Sequence, residues 1–502
     1  MTPICPGPDA MDIINCWLGD QINGWIYGYL LIFLLVAAGI YFTARTKFVQ
    51  FRYFTVGVKT ILEPSPDKDQ VSPFQALMIS TASRVGIGNI VGVTTAIISG
   101  GPGAVFWMWL IATLGAGSAF VESTLAQVYK VKDGPGFRGG PAYYIQRALK
   151  QRWLGIVFAI SLIACYAYGF NALQANNIAG AIDTYVGDPE ATINLLGMQV
   201  PSGLFVHIII GLVLAGLTAW TILNGQKMIT WVTSVLVPVM AVLYLLLGLA
   251  VILMNIGALP GAFAQIFEGA FNLQAGFGGL LGGAIMWGIK RGLYSNEAGM
   301  GSAPNAAASA HTSHPAKQGF VQMLSVFIDT MLICTTSAFI ILCAGVPITA
   351  DTKAMPLVQA SIASTFGDVG VFILTIAIFL FAFSSIIGNY YYTESNMFFI
   401  RGKSTSLRIF RTTVVLAVFV GAIEGYDLAW NLADFLMAIM TLVNIVAIAL
   451  LGGIAAKVLA DFTAQRKAGK DPIFVAPAIG LMNTDLWKNA DPDIDGDGHP
   501  DY

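Results

Sequence analysis

Eleven apolar segments, each long enough to cross a lipid bilayer, follow one another along this chain of 502 residues. A transmembrane helix needs about 20 mostly apolar residues. Only 11% of the residues are charged, against about 25% in an average soluble protein. The sequence therefore predicts an all-α polytopic membrane protein, because a helix satisfies its own backbone polar groups in hydrocarbon. The segments lie near residues 25–44, 73–99, 103–129, 152–186, 203–223, 229–256, 278–300, 319–345, 369–397, 409–424 and 430–456.

The basic residues between these segments fall almost entirely on one side of the predicted membrane. With eleven spans, the loops on one side hold a single basic residue, Lys353, and the opposite loops hold most of the others. Cytoplasmic loops carry the excess of Lys and Arg. We therefore expect a cell (inner) membrane protein with its N-terminus outside and its C-terminus in the cytoplasm. Residues 1–24 contain no Lys or Arg, so we expect the first apolar segment to be a retained helix and not a signal peptide.

The second apolar segment cannot form a regular helix throughout. Gly86, Gly88 and Gly92 each cost about 1 kcal/mol in a helix interior, and Asn89 favours local backbone hydrogen bonds. A break within a bilayer must be buried in protein or line a wet cavity. Its freed carbonyls attract a cation, and the half-helix that follows attracts an anion. The break predicts a transport site, with close packing of glycine-rich helices as the alternative.

The seventh apolar segment carries a second interruption, in residues 278–310. It is rich in glycine and contains Lys290, Arg291 and Glu297, which are costly near lipid and must face protein or water. With the first span set aside, the two breaks open two sets of five helices. An odd repeat length makes the second set inverted, although we detect no residue-level identity between the halves. Interrupted helices in corresponding positions predict a substrate site near the membrane midplane.

These expectations divide the chain into six parts. They are an extracytoplasmic segment (1–24), an extra first helix (25–44), a cytoplasmic amphipathic segment (45–72), two five-helix repeats (73–256 and 278–456) and a cytoplasmic acidic tail (457–502). We expect the chain from Phe462 onward to be weakly ordered. The acidic residues between Asp491 and Asp501 resemble part of a calcium loop without its final Glu, so we read them as a solvated tail. Cys5 and Cys16 either form a disulfide or remain free thiols.

Two long motifs resemble those of the alanine or glycine:cation symporter family, the sodium:alanine symporters. They are Gly-Ile-Gly-Asn-Ile-Val-Gly-Val with Gly-Gly-Pro-Gly-Ala-Val-Phe-Trp-Met-Trp (86–109), and Arg-Gly-Leu-Tyr-Ser-Asn-Glu-Ala-Gly-Met-Gly-Ser-Ala-Pro (291–304). The resemblance runs from about residue 25 to 460. It implies sodium-driven uptake of a small neutral amino acid such as alanine or glycine. It also implies the leucine-transporter-like fold, a five-plus-five inverted repeat with two broken helices and one extra N-terminal helix.

The resemblance also implies a set of site residues. Gln174, in an Asn-x-x-Gln-Ala-Asn stretch, corresponds to a substrate contact, and Ser384 and Ser385 correspond to a hydroxyl pair that holds sodium. Bonding of these hydroxyls to their own helix is the alternative. Asn389 stands where some members carry Trp. The smaller, polar asparagine would enlarge or wet the pocket. The expected substrate-binding residues are Thr81, Gly86, Gly88, Asn89, Asn171, Gln174, Trp287 and Asn389, and the expected Na+ ligands are Ala82, Val85, Ser384 and Ser385.

Three charged residues are assigned a structural or coupling role: Arg84, Glu297 and Asp329. For Asp329 we favour membership of a structural ion pair over a role as a coupling group. Trp287 either walls the pocket or serves in packing. No acidic residue lies within residues 80–92, which favours sodium coupling over the alternative, proton coupling.

Other functions find less support in the sequence. We find no His-Glu-x-x-His, no Gly-x-Ser-x-Gly with catalytic partners, no nucleotide-binding loop and no basic patch for nucleic acid. His311 and His314 have metal-like spacing but lack a neighbouring Cys or carboxylate, so we read them as loop residues. A channel or a membrane-embedded enzyme is thus a weaker alternative to a transporter, and the oligomeric state stays open.

Overall fold

A computed structural model describes residues 24–65, 70–188, 191–195, 198–271, 280–349, 351–402, 404–423 and 426–488. The predictions for Cys5, Cys16 and the acidic residues 491–501 lie outside these ranges. The described chain is mostly helical. In chain order its helices are α1 (Ile32–Arg45), α2 (Val49–Arg52), α3 (Phe54–Ile61), α4 (Pro73–Arg84), α5 (Val91–Gly100), α6 (Ala104–Val128), α7 (Pro141–Ala148), α8 (Arg152–Ile163), α9 (Asn171–Ile182), α10 (Ser202–Leu223), α11 (Gly225–Met254), α12 (Leu259–Phe271), α13 (Leu280–Asn296), α14 (Pro304–Ala307), α15 (Pro315–Val326), α16 (Thr335–Ala344), α17 (Ala354–Arg401), α18 (Ser404–Ile423) and α19 (Tyr426–Lys467).

Nine of the eleven predicted spans stand out by length and apolar character among the described residues. Eight are single helical runs, and α4 with α5 forms the ninth as a pair bent by 66°. Helix α1, extended at its start by a π-helical turn (Ile26–Leu31), and helix α13 occupy the first and seventh apolar segments. A π-helical turn (Ala164–Phe170) joins α8 to α9, and another (Phe327–Cys334) joins α15 to α16, so each pair is one span. These helices account for all eleven segments.

The spans pack in pairs that an inverted repeat would produce. The third span, α6, packs along the eighth, α15, and the fifth, α10, packs along the tenth, α18. The sixth span, α11, packs on the ninth, α17, just as the eleventh, α19, packs on the fourth, α8. Each span of the first set has its counterpart five places later in the second set. When every span is replaced by its counterpart, the pairs third–eighth and fifth–tenth stay the same, and the pair sixth–ninth becomes eleventh–fourth. The packing agrees with the predicted five-plus-five arrangement.

Within the described ranges, two short antiparallel hairpins interrupt the helical architecture. One pairs β1 (Val131–Asp133) with β2 (Gly136–Arg138), and the other pairs β3 (Thr192–Leu195) with β4 (Met198–Pro201). The first hairpin precedes α7 on the face of the molecule that carries most of the loop Lys and Arg residues, which we call the basic face. Helix α12, between the sixth and seventh spans, has no counterpart among the sequence predictions.

The expectation of weak order from Phe462 onward is wrong as far as residue 488. Helix α19 continues to Lys467, and Phe462 is itself buried. Residues 470–488 then run back across the basic face, where Phe474 and Trp487 are only 1% and 3% exposed. We call residues 470–488 the C-terminal strap. Aromatic side chains within it supply the apolar area that a solvated tail would lack.

The C-terminal strap is fastened to loops and span ends that are far apart in sequence. The Phe474 amide donates to the Ser313 carbonyl (3.0 Å), and the Trp487 indole donates to the Gln127 carbonyl (3.0 Å). Asp485 pairs with Arg147. The strap thereby connects the ends of the third and eighth spans to α7.

Candidate functional site

Helix α4 leads into the first break, and both its start and its end are well defined. Ser72 and Gln75 form a reciprocal capping box, and Pro73 occupies the first helical turn. Together they fix where the helix begins. After Arg84 the backbone leaves the helical region, and Gly86 is extended (φ −117°, ψ −159°). A short 3₁₀ turn over Ile87–Asn89 then leads into α5.

The break releases the carbonyl of Ala82 from helical hydrogen bonding. In a continuous helix this carbonyl would accept from the amide of Gly86. That amide instead donates to the Arg84 carbonyl (3.0 Å) and to Oδ1 of Asn89 (3.2 Å). The Ala82 carbonyl accepts from the hydroxyl of Ser385 in the ninth span (2.9 Å). An oxygen pair from two spans therefore meets at the break.

Two further carbonyls lose their helical donors in the same way. The amide of Ile87, which would bond to the Ser83 carbonyl, donates to Oε1 of Gln174 in the fourth span (3.3 Å). The amide of Asn89, which would bond to the Val85 carbonyl, donates to a carbonyl inside the break (3.1 Å). Backbone carbonyls and hydroxyls are the ligands that a hard cation such as sodium prefers. The break thus gathers a donor set that suits sodium.

The two adjacent serines of the ninth span point in different directions. Ser385 faces Ala82, as described, and also lies 3.3 Å from the Ser83 carbonyl. Ser384 donates to the carbonyl of Phe381 in its own helix (2.9 Å) and contacts the sulfur of Met240 (3.1 Å). The structure therefore brings Ser385 to the break, whereas Ser384 makes the bond to its own helix that was the alternative interpretation.

A row of polar side chains connects the second, ninth and fourth spans beside the break. Ser83 donates to Oδ1 of Asn389 (2.6 Å), and Asn389 donates to Oδ1 of Asn171 (3.0 Å). Thr81, two residues before Ser83, is also buried, and its hydroxyl has no hydrogen-bond partner among the described residues. Of these residues only Ser83 is absent from the sequence prediction. Its place in a Thr-Ala-Ser run directly before the break was the available signal.

Asp329 joins the first break to the second. Its carboxylate accepts from Asn89 of the first break (2.5 Å), from Ser295 near the end of α13, and from Thr330 (2.9 Å). In the described part of the chain this carboxylate has no partner within ion-pair distance, which does not support the favoured interpretation of Asp329 as an ion-pair member. Hydrogen-bond donors from two broken helices satisfy it instead. The other two assigned charges have different partners, since Arg84 donates to Ser325 and Glu297 accepts from Ser302 (2.5 Å).

Glu122, which was not assigned to the site from the sequence, organises the chain beyond the second break. Its carboxylate accepts from the amides of Gly299 (3.1 Å) and Gly301 (3.0 Å) and from Nδ2 of Asn444 (3.0 Å). Both glycines have positive φ angles (84° and 90°), a conformation that other residues rarely adopt. Glu122 is the one carboxylate in the third apolar segment, and a lone acid within a span was a usable signal.

Trp287 does not lie at the first break. A Cβ atom at Gly100, the last residue of α5, would lie 2.9 Å from Cβ of Trp287. A Cβ atom at Gly88 would instead lie 3.0 Å from Cε1 of Tyr294. The aromatic side chain of α13 that faces the break is thus Tyr294, about two helical turns further along.

A bilayer-spanning bundle with two linked helix breaks and released carbonyls at its centre is a secondary transporter of the leucine-transporter-like fold. The crystal structure of MhsT in complex with L-phenylalanine matches this fold with a TM-score of 0.54. The match covers 79% of this chain and 90% of that chain at 14% sequence identity.

The model of the sodium:alanine symporter family matches residues 11–476, and the chain belongs to this family. The amino-acid carrier protein AlsT of Bacillus subtilis is 48% identical over 470 residues, which cover 93% of this chain and 96% of AlsT. The sodium/alanine symporter AgcS of Methanococcus maripaludis is 38% identical over 469 residues, covering 91% and 99%. The chain is accordingly a multi-pass membrane transporter, not an enzyme, that couples amino acid uptake to sodium.

Proposed function

We propose that this transporter carries alanine, glycine or a similarly small neutral amino acid together with Na+, and that both bind at the first break. The observation that carries this proposal is the meeting of the released Ala82 carbonyl with the Ser385 hydroxyl. A continuous helix would leave no oxygen free there for a cation. The family membership and the named activity of AgcS support the choice of sodium and alanine.

For sodium, we propose the carbonyls of Ala82 and Val85 and the hydroxyl of Ser385 as ligands. In the described structure the Ser385 hydroxyl donates to Ala82, so a cation would turn the hydroxyl and accept a lone pair from each oxygen. Ser384 is left out of this set because it bonds to its own helix. All three ligands are neutral oxygens, which bind sodium without releasing a proton. Sodium coupling is therefore favoured over proton coupling.

For the amino acid, we propose that its carboxylate docks on the backbone between Gly86 and Asn89. The amide of Ile87 already holds an oxygen there, that of the Gln174 side chain. A carboxylate would take the place of this amide oxygen, with the dipole of α5 in support. Gln174 would then be free to contact the bound substrate. Tyr294 limits the space above Gly88, which favours a small side chain on the substrate.

The neighbouring polar row would bound the rest of this site. Thr81, Asn171 and Asn389 are all buried beside the break. An asparagine at position 389 makes this wall polar, so a substrate with a short polar side chain also fits. Trp287 is left out of the site because it lies at the far end of α5.

We further propose that Asp329 acts as a coupling group. Its carboxylate accepts hydrogen bonds from Asn89 and Ser295 at once. A movement of the first break on ligand binding would therefore shift Asp329 and, through Ser295, the second break. Transport by alternating access requires the two repeats to move against each other. A shared carboxylate is a direct physical means of linking these movements.

The proposed orientation places the N-terminus outside and the basic face in the cytoplasm. It is supported by the distribution of Lys and Arg over the loops. The division into an extra first helix, an amphipathic segment, two five-helix repeats and a C-terminal region is retained as part of this proposal. In that division residues 45–72 lie on the cytoplasmic surface.

Uptake of radiolabelled alanine and glycine into proteoliposomes tests the proposed function. Gradients of sodium, protons and potassium are imposed one at a time at fixed internal composition. We expect accumulation only with an inward sodium gradient, competition by unlabelled alanine, and weak competition by alaninol, which lacks the carboxylate. Equal uptake after sodium is replaced by potassium would contradict sodium coupling, and strong competition by alaninol would contradict the proposed carboxylate contact.

A further inference from the structure

A cavity of about 320 Å³ opens on the basic face, away from the helix breaks. It lies where the hairpin β1–β2, helix α7, the start of α8 and the end of α17 meet. Four cationic side chains converge on it above two aromatic rings: Lys132, Arg138, Arg147, Arg152, Phe398 and Phe399. None of these residues takes part in the site described above.

The two aromatic rings hold two of the guanidinium groups in place. Arg138 lies 3.7 Å from the centre of the Phe398 ring, and Arg152 lies 5.2 Å from that of Phe399. Arg152 also donates to Oε1 of Gln146 (2.7 Å). A stacked guanidinium keeps its in-plane N–H groups directed outward, which suits bidentate binding of an oxyanion.

The positive charge of the cavity is only partly neutralised. Asp133 lines the cavity and pairs with Arg138, and Asp485 of the C-terminal strap pairs with Arg147. The Arg147 pair is solvent-accessible, with side chains 26% and 44% exposed, so it contributes little to stability. Across the described ranges Arg152 forms no ion pair with a carboxylate. The cavity therefore has spare positive charge for an anionic ligand.

The start of α8 adds two features that identify the source of such an anion. The side chain of Gln151 makes no capping hydrogen bond, so the first amides of this long span add to the positive potential. Below the cavity, α8 exposes Trp153 (63%), Val157 (37%) and Ile160 (55%) along one helix face. Because α8 is part of a membrane span, these apolar side chains face acyl chains. The cavity thus opens directly above a lipid-facing apolar strip.

We propose that this cavity binds the phosphate headgroup of an anionic phospholipid whose acyl chains lie along α8. Arginine pairs strongly with phosphate, and cationic pockets beside transmembrane helices suit anionic headgroups. A zwitterionic lipid would place its choline among four cations and is expected to bind much more weakly. Free phosphate shares the headgroup chemistry but cannot use the apolar strip.

Native mass spectrometry of the full chain in detergent tests this proposal. The protein is titrated with phosphatidylglycerol, with phosphatidylcholine of the same acyl chains, or with inorganic phosphate. We expect saturable binding of phosphatidylglycerol alone. Each cation removed should weaken binding about five-fold. Arg147→Gln and Arg152→Gln should therefore each lower it, and Arg152→Lys should largely preserve it.

Lys467→Gln is the matched control, since Lys467 is an exposed base outside the cavity. All variants are first checked for a single species in size-exclusion chromatography. If Arg152→Gln does not purify as one species, Arg147→Gln alone decides the outcome. Binding that is no weaker in the cavity variants than in Lys467→Gln would overturn the proposal. So would displacement of phosphatidylglycerol by equimolar inorganic phosphate, which would assign the cavity to free phosphate.

Discussion

The substitution Gly86→Ala distinguishes two roles of the first break, ligand binding and close packing of glycine-rich helices. Gly86 has an extended backbone (φ −117°, ψ −159°) that alanine also adopts, so the added methyl is the only perturbation. Its Cβ would lie 2.5 Å from Oγ of Ser385 and 2.8 Å from Nε2 of Gln174. Both separations are shorter than real Cβ contacts, so both side chains must move away. They are the side chains proposed to face sodium and the amino acid.

The expected magnitude follows from this overlap. Forcing an extra methyl into a close-packed site costs about 1–3 kcal/mol. Without ligands the two side-chain ends can swing aside, whereas ligand binding would require them to return. The strain should then appear in binding, and about 1.4 kcal/mol corresponds to a ten-fold change in affinity. We expect the half-saturating concentrations of sodium and alanine to rise about five- to 150-fold.

Gly92→Ala is the matched control in the same stretch. A Cβ at Gly92 would meet only Cδ of Arg291, at an ordinary distance of 3.8 Å. Since Gly92 lies within α5, alanine there should stabilise the helix slightly. Initial rates of alanine uptake into proteoliposomes are measured against sodium and alanine concentration for both variants. Normal half-saturating concentrations in Gly86→Ala, or an equal defect in Gly92→Ala, would refute the reasoning.

Three further predictions use the same flux assay or simple labelling. Ser385→Ala should raise the half-saturating sodium concentration while Ser384→Ala leaves it nearly unchanged, and equal effects would remove Ser385 from the ligand set. Asp329→Asn should reduce uptake about ten-fold at normal expression, because asparagine offers one acceptor oxygen where Asn89, Ser295 and Thr330 now share two, and a buried donor left unsatisfied costs about 1–3 kcal/mol; full activity would exclude a coupling role. A cysteine placed in 457–470 should react with an impermeant reagent only from the cytoplasmic side, and labelling from outside would reverse the proposed orientation.

Much of the fold could be predicted from the sequence because bilayer chemistry leaves few choices. Apolar length predicted the spans, and the positions of Gly86 and Gly88 predicted the first break, whereas Gly92 lies within the regular helix α5. The order of the C-terminal strap was not predicted because the chain from Phe462 onward was read as polar, although residues 473–482 are mostly apolar. Its buried residues include Phe474, Ala476 and Trp487, and the hydrogen-bond partners of Phe474 and Trp487 lie far away in sequence.

Within the site, the types of residue were easier to predict than the directions in which their side chains point. Ser384 and Ser385 are adjacent, and neighbouring residues of a helix point about 100° apart, so sequence alone could not say which hydroxyl faces Ala82. Trp287 and Tyr294 share a face of α13, and only packing shows which turn meets the break. Asp329 drew an ionic interpretation because Arg84, Lys290 and Arg291 were available as partners in the two broken segments. Its donors Asn89 and Ser295 lie in the same two segments, and sequence alone does not show which of these side chains reach the carboxylate.

The C-terminal strap has a consequence for how the protein is made. A ribosome delivers the chain from its N-terminus, so the strap emerges after every span that it contacts. The carbonyls of Gln127 and Ser313 accept hydrogen bonds from the strap. They cannot form both bonds until residue 487 has been translated. A nascent chain can therefore insert all its helices before these ends are tied together. Quality control that samples the unfastened basic face would distinguish a finished transporter from one whose synthesis stopped short.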